Sequence, residues 1–268
     1  MPNTPTTLPA PASLFAGTAG DYQRFRPQYP PELLRALRTL AGTTGQGSLL
    51  DIACGPGRVT IPMAPYFCRV VAVDVDASMI EVGQRSATHV GVTNIDWRLG
   101  RAEDLLLAAQ SIELITIGEA FHRLDQQHVI RSALQWLQPG GVLATLAGES
   151  VWRGPETWKR VLVNVVNEWT NGALGEPNDT RWGGPCELLR NSGFAVVERE
   201  FVVNWNWTCE SIVGFMYSTS IASRAALGDR ASAFGQAVGA ALLAAAPGDQ
   251  FESTQRFGLT VGLVPRDG

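Results

Sequence analysis

Histidine, cysteine and lysine are scarce in this chain. Its 268 residues include three histidines, four cysteines and one lysine, Lys159. His89, His122 and His128 show no metal-ligand spacing of the His-x-x-x-His kind, and Cys54, Cys68, Cys186 and Cys209 form no Cys-x-x-Cys pair. Reduced thiols and no bound metal are therefore expected. No apolar run reaches the roughly 18 residues that a membrane span requires. The opening MPNTPTTLPAPAS lacks the basic-then-apolar pattern of an export signal, and its Pro and Thr content reads as a disordered tail. The expected location is the cytoplasm. A net charge of −4 with no Lys/Arg block leaves no electrostatic footprint for phosphate backbones, so neither nucleic acid nor a membrane is an expected partner.

The residues that are present fit one globular unit, 45% hydrophobic and 17% charged. Tyr29 to Ala41 reads as a helix with Pro31 in its first turn, Leu33, Leu34, Leu37 and Leu40 on one face, and Gly42 ending it. From Ser48 onward, short apolar runs (SLLDIA, RVVAVDV, NIDWRL, IELITI, GVLATLA) alternate with helix-like stretches near Val59 to Tyr66, Ser78 to His89, Ala102 to Ala109 and Asp125 to Leu137. This alternation predicts an α/β fold with a mostly parallel sheet and helices on both faces. Residues 152–184 read as a cap inserted after the fifth strand, with a helix over Trp158 to Trp169 and a concentration of Trp152, Trp158, Trp169 and Trp182. Those rings suit either a core or a substrate wall. Phe194 to Val203 and Arg256 to Val264 are the remaining predicted strands, with helices over Glu210 to Ser220 and Ala231 to Ala246.

The run Leu49-Leu50-Asp51-Ile52-Ala53-Cys54-Gly55-Pro56-Gly57 places small residues between an apolar strand and a helix, where a backbone turns tightly beneath a ligand. It is not the dinucleotide fingerprint, because no third glycine follows at the required spacing. Asp51 would repel a pyrophosphate but suits a ligand carrying an ammonium and a sulfonium, as S-adenosyl-L-methionine does. Asp74, at the end of the second strand, can accept hydrogen bonds from two ribose hydroxyls. The plainer alternatives are a strand-end turn carboxylate for Asp51 and a helix N-cap for Asp74.

Residues 49–147 resemble the core of class I S-adenosylmethionine-dependent methyltransferases, through DIACGPG, VAVDVDASMI, GRAEDL and LQPGGVL. The tract GTAGDYQRFRPQYP further resembles a small-molecule branch related to trans-aconitate methyltransferase and to bacterial natural-product tailoring enzymes. The resemblance implies a Rossmann-like seven-stranded fold. It places residues 1–47 in a tail and an N-terminal helical lid, and residues 48–268 in the methyltransferase domain. It also implies Asp51, Ala53, Gly55 and Gly57 around the methionine part of the cofactor, Asp74 at the ribose, and Val75 and Met79 beside the adenine. Ala102 and Glu103 would lie at the adenine edge and Glu119 beside the cofactor. Ala53 stands where glycine is commoner, a departure that a negative φ would accommodate. Tyr22 and Arg26 would form a lid over the cofactor carboxylate or the acceptor; the alternative is surface packing. His122 is the candidate general base, or else a residue that only lines the acceptor pocket. The implied activity is methyl transfer to a small organic molecule, a bacterial secondary metabolite, by a monomer or homodimer. A nicotinamide-dependent reductase and a cofactor-retaining protein that does not methylate remain as alternatives.

Overall fold

The computed structural model describes residue 15, residues 17–175 and residues 185–265. The expected disordered tail, MPNTPTTLPAPAS, and the assignment of Trp182 to the cap lie outside the described residues.

An N-terminal arm carries α1 (Ala19–Phe25), and α2 (Pro31–Ala41) leads into the sheet. Gly42, at φ +64°, ends α2 in the left-handed conformation that glycine adopts without strain. The strands are β1 (Ser48–Ile52), β2 (Arg69–Asp74), β3 (Ile95–Leu99), β4 (Ile112–Gly118), β5 (Leu137–Gly148), β6 (Ala195–Trp207) and β7 (Phe251–Leu263). They form one sheet in the order β3-β2-β1-β4-β5-β7-β6, in which only β7 runs against its neighbours. Order and mixed direction are those of the Rossmann-like methyltransferase fold.

Both sheet faces are covered, which explains why the central strands are nearly continuous apolar runs. Leu49, Val70 and Leu114 pack under α2 together with Leu33 and Leu37. Leu50, Val71 and Ile115 pack on the other face with Val129 and Ile130 of α5 (Gln126–Trp136). The remaining core helices are α3 (Thr60–Met63) and α4 (Ala77–His89).

The helix expected over Ala102 to Ala109 is not formed. A single 3-10 turn covers Ala102–Asp104, and Leu105 then takes extended dihedrals. Leu105 and Leu107 pack on the α5 side of the core while Leu106 is 94% exposed, the alternation of an extended segment. Tertiary packing has overridden the helix propensity of the Leu/Ala run.

The helical layer over the sheet's C-terminal end is larger than the 152–184 insertion. The helix α6 (Thr157–Thr170) packs with α8 (Cys209–Tyr217) and α10 (Ala231–Ala245) around Trp158, Leu162, Phe215 and Phe234. Among the described residues two further short helices remain: α9 (Arg224–Leu227), whose Leu227 joins this core, and α7 (Cys186–Asn191), whose Leu189 packs on the α5 side of the sheet. Strands β6 and β7 both start or end nearer this layer than the sequence predicts. They pair out to Trp207↔Phe251, beyond the last β5 pair Gly148↔Phe257. This two-stranded extension carries Trp207 and Phe251 into the cap core, so cap and sheet share a continuous packing unit. Among the described residues, no helix is long and apolar enough to cross a membrane.

Candidate active site

The site is assembled at the C-terminal ends of β1, β2 and β4, where parallel α/β sheets open crevices for ligands. Asp51 sits near the end of β1 on the same face as Leu49, and its side chain is buried. Its two oxygens accept hydrogen bonds from Thr60 Oγ1 at 2.5 Å and Thr116 Oγ1 at 2.7 Å. Removal from water pushes its pKa up to about 6 despite those hydroxyls. The carboxylate therefore braces β1 against α3 and β4 while also lining the cavity beneath the arm.

The loop that follows differs from expectation at one residue. Ala53 has φ +52°, not the negative value that would make it a comfortable replacement for glycine. Its Cβ is carried in a left-handed conformation that costs about 1–2 kcal/mol. Gly55 and Gly57 also have positive φ, +53° and +84°. A Cβ on Gly57 would lie 2.9 Å from Ile61 and Trp97, so close packing enforces glycine there. Above Gly55 a Cβ would meet nothing within 4 Å, which leaves open room over the loop backbone.

Asp74 holds this loop in place. One carboxylate oxygen accepts from the Gly55 amide at 2.8 Å and the other from the Asp76 amide at 2.9 Å. Burial raises its pKa, and the Asp76 and Gly55 amides oppose the rise. The N-cap role open to Asp74 is filled by Asp76, whose Oδ1 accepts from the Ser78 and Met79 amides. The Asp74 carboxylate thus retains acceptor capacity for a ligand hydroxyl. Val75 is half-buried beside it, and Met79 is buried. Ala102 is buried in the core, and Glu103 accepts from the Asp125 amide at 3.2 Å and pairs with Arg101 at 3.5 Å.

The arm lies down on the loop. Tyr22 and Tyr29 line the cavity with Asp51, Ala53, Gly55 and Arg58; its volume is about 20 Å³, room for about one water. Glu119, at φ +55°, leaves β4 in a strained conformation of the kind that clusters at functional sites. It pairs with Arg26 of the arm at 3.4 Å and with Arg58 of the loop at 3.3 Å. Arg26 also donates to Ser218 Oγ at 2.8 Å and stacks on Phe215, 4.4 Å from the ring centre. Arm, loop, β4 and cap thus meet at one carboxylate. Arg24–Glu210 and Arg224–Asp21 add two exposed arm-to-cap ion pairs.

Sequence reasoning missed Arg58, Thr60, Thr116 and Ser218 as members of this site. His122 lies in a 3-10 turn, Phe121–Arg123, outside the residues lining the cavity. Burial and the neighbouring Arg123 hold its pKa below the usual imidazole value, against the pull of Glu119, so the ring is neutral near pH 7. Of the cap tryptophans, Trp158 packs on Phe251 and Trp169 on Phe234 inside the cap core. Trp152 instead meets Phe215, the ring beneath Arg26.

Known proteins similar to this chain fall in one group. Residues 49–141 match a family model described as a methyltransferase domain. An uncharacterized methyltransferase of Mycobacterium bovis is 33% identical over 166 residues, covering 61% of this chain and 60% of its own length. The match to a fission-yeast relative, an uncharacterized methyltransferase of Schizosaccharomyces pombe, spans 51% of that protein, so the chain aligns with about half to two thirds of the curated relatives' length. Among solved structures, a putative type II methyltransferase from Anaeromyxobacter dehalogenans superposes with a TM-score of 0.59 at 22% identity, covering 91% of this chain and all (100%) of that one. The [4+2]-cyclase SpnF superposes at 0.51 and 18% identity, covering 91% and 84%. The chain thus shares the Rossmann-like fold of these structures, and its residues 49–141 are similar to a methyltransferase domain. S-adenosyl-L-methionine is the cofactor that a domain of this kind implies, and the open space over Gly55 and the remaining acceptor capacity of Asp74 fit its methionine and ribose parts.

Proposed function

We propose that this chain transfers a methyl group from S-adenosyl-L-methionine to a small organic acceptor, a secondary metabolite being the class favoured by the arm tract. The observation that carries the reading is the bridge from Asp74 to the Gly55 amide. It locks the loop at the position assigned to the ribose, inside the segment that matches a methyltransferase domain.

Bound cofactor supplies an activated methyl on a sulfonium, and the chemical driving force with it. The protein supplies alignment and dryness. Asp51 and Asp74 fix the loop, and Val75, Met79, Ala102 and Glu103 are assigned to the adenine end. Tyr22, Tyr29 and Arg26 cover the site from the arm and exclude water. His122, neutral at physiological pH, is the candidate to take a proton from an acidic carbon, phenol or alcohol, a contribution of about 10² to 10⁴ in rate where it acts.

The test is to incubate the protein with the cofactor and a panel of phenols, acids and activated carbons, following methylated product by mass spectrometry. Product formation that disappears in Asp74→Ala supports the reading; cofactor binding without product across the panel favours the non-methylating alternative. That alternative has one specific support, because the same fold serves a protein described as a [4+2]-cyclase.

A further inference from the structure

Three groups of this molecule have no role so far. A polar groove between Glu156, Asn204 and Glu252 has no feature that names a ligand. The exposed Leu99 and Leu106 have nothing to say what covers them. Arg58 is different, because its chemistry is unfinished.

We infer that Arg58 receives the carboxylate end of the cofactor and, by holding the Pro27 carbonyl with the same guanidinium, ties cofactor binding to closure of the arm. This rests on the cofactor reading above and goes beyond it by assigning the residue and the coupling.

The Arg58 side chain is 6% exposed, and its charge is shared with a single carboxylate, Glu119. One Nη donates to Glu119 at 3.3 Å and the other to the Pro27 carbonyl of the arm. The Nε–H is buried and has no partner among the described residues. A buried donor without an acceptor is costly, and Arg58 lines the cavity directly beside Gly55, where the loop leaves open room. Glu119 must serve two guanidiniums, Arg26 and Arg58, so one positive charge at this point lacks a local counter-charge.

A ligand carboxylate supplies both missing elements, the acceptor for Nε–H and the negative charge, and a guanidinium edge is suited to bind it in two-pronged fashion. Arg26 is the less suitable receptor. Its Nε is committed to Ser218 Oγ, one Nη to the Ser218 carbonyl at 3.3 Å and the other to Glu119. The Tyr29 ring, 4.6 Å from the Arg58 guanidinium carbon, keeps that side chain in its place. A carboxylate that fixes Arg58 therefore also fixes Pro27, and through it the arm from Gly17 to Tyr29.

The experiment compares S-adenosylmethionine with its decarboxylated analogue, which keeps the adenosine, sulfonium and ammonium. Both are titrated by calorimetry into the full chain, and hydrogen exchange is followed over residues 17–29. The expected result is that S-adenosylmethionine binds about 10–100-fold more tightly than the analogue. It should also slow exchange in the arm, which the analogue should leave unchanged. Arg58→Gln should bring the two affinities together, Arg58→Lys should keep part of the difference, and Arg26→Gln should keep most of it. Equal slowing of the arm by both compounds in the wild-type chain would overturn the proposal without reference to any variant. So would an Arg58→Gln chain that still prefers the carboxylate. A wild-type chain that binds neither compound overturns the cofactor reading and this inference together, whereas binding of both with the Arg58 outcome reversed removes only this inference.

Discussion

Asp51→Asn should make the folded chain more stable at alkaline pH than at acid pH, relative to wild type. The reason is the burial of a carboxylate whose pKa rises from the usual 3.8 to about 6. A carboxyl with a folded-state pKa above its unfolded value binds its proton first in the folded chain. Its unfavourable contribution is fully present above about pH 6 and is relieved as pH falls from about 6 toward 4. The full difference corresponds to about 3 kcal/mol, and the part lost between pH 8 and pH 5 to about 1.4 kcal/mol. Asparagine has the same shape and can still meet Thr60 and Thr116, but it carries no titrating proton. Urea unfolding of both proteins at pH 5 and pH 8 gives four free energies. Their double difference cancels every other titrating group and the constant cost of the substitution. The asparagine variant should gain about 1–1.5 kcal/mol relative to wild type on going from pH 5 to pH 8. Equal effects at the two pH values would refute the claim that Asp51 is a desolvated carboxylate kept for its ligand-facing position.

Ala53→Gly should stabilise the chain by about 0.5–1 kcal/mol in the same unfolding assay, since relief of the left-handed alanine exceeds the added chain entropy; a loss of stability would mean that the methyl packs productively. His122→Gln should leave cofactor affinity unchanged while lowering kcat by about 10²-fold or more if the imidazole takes a proton. An unchanged kcat with an altered KM would make it a pocket residue. Glu119→Gln removes the one carboxylate shared by Arg26 and Arg58 and should speed hydrogen exchange in the arm; unchanged exchange would show that Pro27 and Ser218 hold the arm unaided.

The parallel part of the fold could be read from sequence because both faces of β1, β2 and β4 are buried, which writes their positions as apolar runs. The loop residues Gly55 and Gly57 were readable for a related reason, since tight turns leave few residue choices. Ala53 was misjudged because a residue name does not give its φ. The Ala102 to Ala109 helix was misjudged because packing of Leu105 and Leu107 decides that segment. The cap's true extent joins α6 to helices that are distant in sequence, and only tertiary contact shows this. Arg58 escaped for a similar reason. An arginine after a glycine loop reads as a surface residue until Pro27, Tyr29 and Glu119 are seen around it.

The most direct test of the central claim is calorimetric titration of S-adenosylhomocysteine into the wild-type chain and into Asp74→Ala, with melting temperature followed alongside. A ligand that binds only the folded state raises its stability. The wild-type chain should show one saturable site and a raised melting temperature, and Asp74→Ala should lose about 1.5–3 kcal/mol of binding free energy. No heat and no melting shift at saturating ligand would contradict the account, and equal binding by the two proteins would contradict the place it gives to the ribose.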